Sequence, residues 1–295
     1  MHFVDGCAAT GAARRQGKVQ DVLHACSNDP VDPHSVLVAA CSPPHKRTVT
    51  TDLFDRDLLA MRRARARTRG AETFLHERAL EDIFERLSFV QRKFERALVI
   101  GDVEREWRDR LPVQSVDRID LDQIMTIEPG SYDLCIAVGE LDTANDLPQV
   151  LLAVRVALRE DALFIGAFPG GDTLPALRSA MRAADEHMGA ASAHVHPRIE
   201  PAAFTNLLTS SGFSMPVVDV DRVAVRYDGL PDLLRDLRGM GATNVLKSRS
   251  HRALTKAAAS AAARQFQLGA QDGRVTETFE ILHFAAWTPS PAASG

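Results

Sequence analysis

The spacing of apolar and polar positions changes several times along the chain, and each change marks an element. Over residues 1–48 no helical or strand period persists. The stretches "CSNDPVDPHSV" and "CSPPHKRTVTT" are rich in Pro, Ser, Asp and His, which predicts a loosely ordered leader. The alternative is a misassigned start, with the native protein beginning near Val49. From Asp52 the pattern turns helical, and residues 49–95 form a helical N-terminal extension. Phe74, Leu75, Ala79, Leu80, Ile83, Phe84, Leu87 and Val90 recur at three- and four-residue spacing and make an apolar stripe. Gly70 interrupts the pattern and separates a first helix from a second.

Strand and helix patterns then alternate. "ALVI" (97–100) is a short continuous apolar run suited to a strand buried on both faces. Residues 103–111 suit a helix, 113–119 a second strand, 132–138 a strand, and 147–160 an amphipathic helix. Another buried strand follows over 162–168 and another helix over 172–188. The last third predicts a short helix over 201–212, a strand over 216–227, helices in "LPDLLRDLRGM" and "HRALTKAAASAAARQF", and a strand over 276–287. Strands separated by helices of this length imply parallel crossovers, hence an α/β fold with a doubly wound open sheet. The domain then runs over residues 96–288 with a late helical insert at about 229–268, and residues 289–295 read as a disordered tail.

Composition narrows the function. The chain has 295 residues, 45% hydrophobic and 25% charged, with a formal net charge of −4. That suits one large α/β domain with extensions and gives no electrostatic case for nucleic acid as a partner. No apolar run reaches the length of a membrane span, and the first residues lack the apolar core of a signal peptide. Cys7, Cys26, Cys41 and Cys135 show no CxxC pairing, so a reducing cytoplasm is the simplest location. A Cys41/His45 metal site would need two further ligands from distant segments. Arg62, Arg63, Arg65, Arg67 and Arg69 could grip an acidic partner or nucleic acid. Without interleaved aromatics, the expectation is a solvated helix face and turn.

In a doubly wound sheet, ligands bind beyond the carboxyl ends of the strands where the strand order reverses. Gly101, after the first strand, is therefore the first cofactor-side candidate. Here it is followed by Asp102, Val103, Glu104, Arg105, Glu106 and Trp107. Val103 is β-branched and resists positive φ. Asp102 is expected to cap the following helix, with Glu104 and Glu106 satisfying its positive end. Such a turn is a poor cradle for phosphate. A carboxylate for ribose hydroxyls belongs at the end of strand two, where Asp117, Asp120 and Asp122 are three alternatives. Gly139, after the third strand, completes the cofactor side. On the substrate side, Gly170 and Gly171 make a tight turn, and Asp172 or Thr173 can cap the helix after it. His194 and His196 lie in a loop without metal-ligand spacing and read as loop polarity. No GxSxG, HExxH or Walker-type pattern occurs, which removes the commonest hydrolase, metalloprotease and NTPase readings.

Several longer segments carry a family resemblance: "LFDRDLLAMRRARA", "FLHERALEDIFERL", "PGSYDL", "NDLP", "GGDTLPALRSAM", "VDVDRVAVRYDGLPDLLRDLRGMGATNVL" and "GRVTETFEILHFAAW". From about Asp52 to Trp287 the chain resembles bacterial relatives of a mitochondrial complex I assembly factor described as a protein-arginine hydroxylase. That group is a branch of the S-adenosylmethionine-dependent methyltransferases close to the malonyl-carrier-protein methyltransferase of biotin synthesis. The resemblance implies a Rossmann-like, mostly parallel sheet with one reversed strand and helical extensions. It also implies S-adenosyl-L-methionine as cofactor and a protein or carrier substrate. The chain departs from the family pattern at three places. Only Gly101 remains of the glycine-rich loop. The stretch from Gly101 to "PGSYDL" is short, as if a helix–strand unit near strand three were lost. Asp142 and Thr143 replace a His-Trp pair before "NDLP".

Two functions follow. One is an S-adenosylmethionine-dependent enzyme that methylates or hydroxylates a protein in respiratory complex assembly. The other is a non-catalytic pseudo-methyltransferase that acts as an assembly or scaffold protein. Any surviving cofactor contact would fall to Gly101 and one of the three aspartates, and "DLRGMGATN" (236–244), with Asn244 as a polar contact, would supply a lid or partner surface.

Overall fold

A computed structural model describes residues 52–290. The expected leader over residues 1–48, with Cys7, Cys26, Cys41 and His45, and the last five residues of the tail lie outside the described residues.

Two helices come first, α1 (Arg56–Thr68) and α2 (Phe74–Phe89). Asp55 caps α1 by accepting from the amide of Leu58 at 3.0 Å. Gly70, at φ +85°, breaks the helical run between them. The α2 stripe buries Ala79, Leu80, Ile83 and Leu87, so the predicted periodicity is the face laid on the sheet.

The α/β unit follows as β1 (Arg96–Ile100), α3 (Arg105–Arg108), β2 (Ser115–Ile119), β3 (Tyr132–Val138), α4 (Leu147–Ala157), β4 (Leu158–Pro169), α5 (Pro175–Met188), α6 (Pro201–Ser210), β5 (Ser214–Tyr227), α7 (Leu230–Gly239), α8 (Lys256–Gln267), β6 (Ala270–Gln271) and β7 (Arg274–Trp287). The sheet runs β2-β1-β3-β4-β7-β5, with β6 hairpinned onto β7. β1 pairs in parallel with β2 and β3, and β3 with β4. β7 runs antiparallel to both β4 and β5, so it is the one reversed strand. The order reverses around β1, as a doubly wound sheet requires.

Residues of β1 alternate between two cores. Leu98 and Ile100 join Phe164, Phe168, Phe204 and Phe284 on one face. Ala97 and Val99 join Ile136, Ile165 and the stripe of α2 on the other. Burial on both faces is why these strands read as continuous apolar runs. Each large side chain so buried contributes roughly 1.5–3 kcal/mol. Gly166 has a specific reason in β4: a Cβ there would lie 2.1 Å from the Ala137 carbonyl and 2.7 Å from the Phe284 ring. A separate cluster of Phe54, Leu59, Val245 and Leu246 pins α1 to the segment after α7.

Some expectations are corrected. The helix expected over residues 103–111 is a single turn, because Val103 and Leu111 are drawn into the core beneath α2. Arg110 instead stacks on Trp107, 4.4 Å from the ring centroid. Two short 3₁₀ segments, Leu121–Thr126 and Leu141–Thr143, take the place of loops.

Candidate functional site

Beyond the carboxyl ends of β1, β3 and β4 lies a cleft of about 250 Å³. Its floor is formed by Val138, Gly139 and Glu140 after β3 and by residues 167–169 of β4. Asp102, Glu104 and Trp107 form one wall, Thr173 and Leu174 another, and α1 roofs it. Leu59, Arg63, Ala66 and Arg67 of α1 line the cleft, at spacings of four, three and one, so they share one helix face.

That face corrects the expectation of a wholly solvated arginine cluster. Glu140, buried at 4% exposure, is held by two guanidinium groups. Arg56 Nη2 lies 3.0 Å from its Oε2, and Arg63 donates to its Oε1 and, at 2.7 Å, to the carbonyl of Gly139. Arg56 also donates to Thr143 Oγ1 at 3.0 Å. Arg67 pairs with Asp102, and Arg198 with Asp142, the latter pair almost fully buried. Asp102, Glu140 and Asp142, three carboxylates on the cleft, are thus each met by arginine. Charge pairing of this kind is what lets a carboxylate sit in a low-dielectric site at all.

Two histidines face the same space. His76 has a buried Nε2 with no partner, and burial holds its pKa below the ordinary value, so the ring is neutral. His196, expected as loop polarity, is buried instead. Its Nε2 accepts from the Val245 amide at 2.9 Å, and its ring meets Phe54 edge-on at 5.3 Å.

The remaining candidates separate by position. Gly101 has φ +115°, and a Cβ on it would lie 2.6 Å from the Val138 carbonyl, so glycine there serves strand packing. Asp102 does not cap α3: Glu104 occupies the cap position without a side-chain bond, because Arg67 and Arg118 hold the Asp102 carboxylate. Gly139 lines the cleft. Asp117 accepts from Tyr132 Oη at 2.9 Å and Arg96 Nη2 at 3.1 Å, which turns it toward the amino ends of β1 and β3. Asp120 accepts from Arg118 Nη2 at 3.1 Å, and its amide donates to Gln123 Oε1 at 2.9 Å. Asp122 is exposed, 3.5 Å from Arg56. None of these three aspartates lines the cleft.

On the substrate side only Thr173 reaches it. Gly170 and Gly171 lie against Glu280 and Glu200, and the Asp172 amide points to Glu280. Neither Asp172 nor Thr173 caps α5. The cap comes from Glu277 on β7, which accepts from the amides of Ala176 at 3.2 Å and Leu177 at 2.8 Å. Asn244 is spent on its own loop, donating to the Ala193 carbonyl at 2.6 Å and accepting from the Leu246 amide at 3.0 Å.

S-adenosylmethionine, which the resemblance implies, needs a carboxylate free of other partners at the end of strand two for its ribose. The residues present do not fit it there. Arg118 lies across the ends of β1 and β2, donating from Nε to the Gly101 carbonyl at 2.8 Å, with Nη2 at 3.1 Å from Asp120 and 3.7 Å from Asp102. Of the three aspartates expected for a ribose, Asp120 is engaged by this side chain, Asp122 by Arg56 and Asp117 by Arg96 and Tyr132. What remains open is the β3 side, over Gly139 and Glu140. Among the described residues no group of three or more His, Cys, Asp or Glu could hold a metal ion. Nor is any described helix long and apolar enough to cross a membrane.

Sequence reasoning missed Glu140, Arg56, Arg118, His76 and Arg198. A signal for Glu140 was present, since it follows a fully buried strand and a glycine. The arginines that reach it are set by tertiary contact alone.

No family model matches the chain. It is 34% identical over 170 residues to the mitochondrial arginine-hydroxylase NDUFAF5 of Danio rerio, covering 57% of this chain and 53% of that protein. The Homo sapiens protein of that name is 34% identical over 170 residues, covering 56% and 49%. A malonyl-[acyl-carrier protein] O-methyltransferase of Nitrosospira multiformis is 34% identical over 155 residues, covering 52% and 48%. The chain spans about half the length of the curated relatives it matches. Among solved structures, the YcgJ protein from Bacillus subtilis superposes with a TM-score of 0.45 at 10% identity, covering 73% of this chain and 100% of that one. Phosphoethanolamine N-methyltransferase 2 of Haemonchus contortus, in complex with S-adenosyl-L-methionine, gives 0.41 at 12% identity, covering 72% and 52%. The chain is, over somewhat more than half its length, a sequence relative of the NDUFAF5 arginine-hydroxylases and the malonyl-[acyl-carrier protein] O-methyltransferases.

Proposed function

We propose that this chain is a non-catalytic relative of these enzymes that holds a protein partner during assembly of a respiratory complex, its cofactor address closed by its own arginines. The observation that carries the reading is the Arg118 guanidinium, seated between Gly101, Asp102 and Asp120 where a ribose would lie. The arginines of α1 extend the same logic, since Arg56 and Arg63 neutralise Glu140 and Arg67 neutralises Asp102 from above. The scaffold outside the cleft is well packed: α2 lies on the sheet, α1 on the segment after α7, and α7 and α8 on α5 and β7, each through apolar clusters. The cytoplasmic location expected from cysteine usage belongs to this proposal.

A second reading is an enzyme that still binds S-adenosylmethionine and modifies a protein. The open volume on the β3 side favours it, with the unpartnered Nε2 of His76 at its edge. Calorimetric titration with S-adenosylmethionine and S-adenosylhomocysteine separates the two. The non-catalytic reading expects no heat at millimolar cofactor, and saturable micromolar binding would overturn it.

A further inference from the structure

The five arginines of the α1 region divide between two faces. Arg63 and Arg67 turn into the cleft. Arg62, Arg65 and Arg69 stand three and four residues apart, so they form one stripe on a neighbouring face. Arg65 and Arg69 are exposed. Among the described residues, none of the three has a carboxylate within 4.0 Å; Asp55, the N-cap of α1, is turned to Arg249 at 3.5 Å. Arg62 donates to the Asn244 carbonyl, which fixes it without neutralising it. Its pKa is lowered by burial and then by the like charges of Arg249 and Arg65, which Asp55 offsets only in part. Cations in the last turn of a helix are favoured by its dipole. Arg249, from the segment after α7, adds a like charge near Arg62 but is itself held by Asp55 and the Leu246 carbonyl. Met61, 49% exposed, lies beside the stripe and supplies an apolar contact.

We infer that the Arg62–Arg65–Arg69 stripe, with Met61, is a docking surface for an acidic segment of a partner protein. Charge complementarity selects the occupant: three aligned cations without a carboxylate partner match carboxylates spaced along a helix or strand. Nucleic acid is disfavoured by the lack of an aromatic platform beside the stripe and by the net charge of −4. The inference deepens the reading of a partner-binding protein and rests on it for its role. The surface itself does not depend on whether the cleft takes a cofactor.

The test is fluorescence anisotropy with a labelled peptide of four Glu-Glu-Leu repeats, a labelled oligo-dT strand and phosphatidylserine vesicles. It uses the full chain and the double variant Arg65→Glu/Arg69→Glu. Arg62 is left in place because it holds the Asn244 carbonyl. The expected result is saturable, salt-sensitive peptide binding that weakens about tenfold in the variant while its melting temperature is unchanged. Should the variant misfold, Arg65→Ala/Arg69→Ala gives the same comparison. Equal affinity in both proteins, no peptide binding by the full chain, or tighter binding of oligo-dT or vesicles would overturn the inference. Calorimetric cofactor binding with the peptide result intact would remove only the non-catalytic reading. Silent calorimetry with no effect of the variant would remove only the docking surface.

Discussion

Arg118 donates from Nε to the carbonyl of Gly101 at 2.8 Å, across the ends of two neighbouring strands. One side chain thereby fixes the turn after β1 against the turn after β2 and fills the space between them. A hydrogen bond from a charged donor is worth about 1.5–3 kcal/mol. Asp120 is 68% exposed, so its pair with Arg118 adds little. Arg118→Ala is expected to lower unfolding stability by about 1–2 kcal/mol, or a few degrees in melting temperature. Arg118→Lys should recover only part of this, since an ammonium lacks the fork that spans both loops. An unchanged melting curve for Arg118→Ala would show that the bridge is not holding the turns.

Glu140 carries a heavier share. Its carboxylate is buried, and removing it leaves Arg56 and Arg63, both about four-fifths buried, without their shared counter-charge. Breaking a buried pair costs about 3–5 kcal/mol, and partial solvent access to the arginines reduces that. Glu140→Ala is expected to lose about 2–4 kcal/mol by urea denaturation. Arg63→Ala should lose less, because Arg56 still meets the carboxylate. In the double variant the two losses should fall short of additive, and strict additivity would mean that the groups are not coupled.

The two cofactor-side glycines make opposite demands. At Gly101 positive φ is combined with a Cβ position 2.6 Å from a backbone carbonyl of the neighbouring strand, which cannot yield without parting β1 from β3. At Gly139 φ is +65° but nothing lies within 4 Å of a Cβ. Alanine at Gly139 should therefore cost about 1 kcal/mol from backbone strain alone, and alanine at Gly101 about 3 kcal/mol or more. Equal losses in thermal melts would contradict the assigned packing role of Gly101.

Much of this fold was legible, and the reason is local. Residues 97–100, 132–138 and 162–168 are buried on both faces, so their apolar runs are continuous and their type was set by length and branching. The α2 stripe was equally clear, because one face of a helix meets one sheet. The candidate site was legible only as an address. The N-terminal cap of α5 shows why. Local reading offers Asp172 or Thr173, but the acceptor is Glu277, a hundred residues further on and brought alongside by the pairing of β7 with β4. Arg118 and Glu140 follow the same rule: each is a charged residue whose partners are set at a distance, by strand order for Arg118 and by the docking of α1 for Glu140. The shortened α3 is a further case, where burial of Val103 and Leu111 overrides helical propensity.

His196 gives the fold a pH dependence whose sign follows from its surroundings. Burial, then the positive charges of Arg198, Arg62 and Arg178, push its pKa down to about 3. The neutral ring accepts the Val245 amide through Nε2, a bond that protonation would abolish. No carboxylate is among the groups that act on this ring, and Asp142 on the same cleft is already held by Arg198. In the unfolded chain the imidazole titrates near its ordinary value of about 6.5. The folded pKa is the lower one, so the stabilisation is complete above the unfolded pKa and drains as pH falls from about 6.5 toward about 3. Between pH 7.5 and 5 the expected loss from this group is about 2 kcal/mol. His76 and His283, also lowered by burial, act in the same direction. Urea denaturation of the wild type and of His196→Asn at the two pH values checks this. The variant should be less stable at pH 7.5, since it loses the buried acceptor, yet show a visibly shallower fall toward pH 5. Parallel pH profiles for the two proteins would mean that His196 is protonated in the folded state, and the buried neutral assignment would fall.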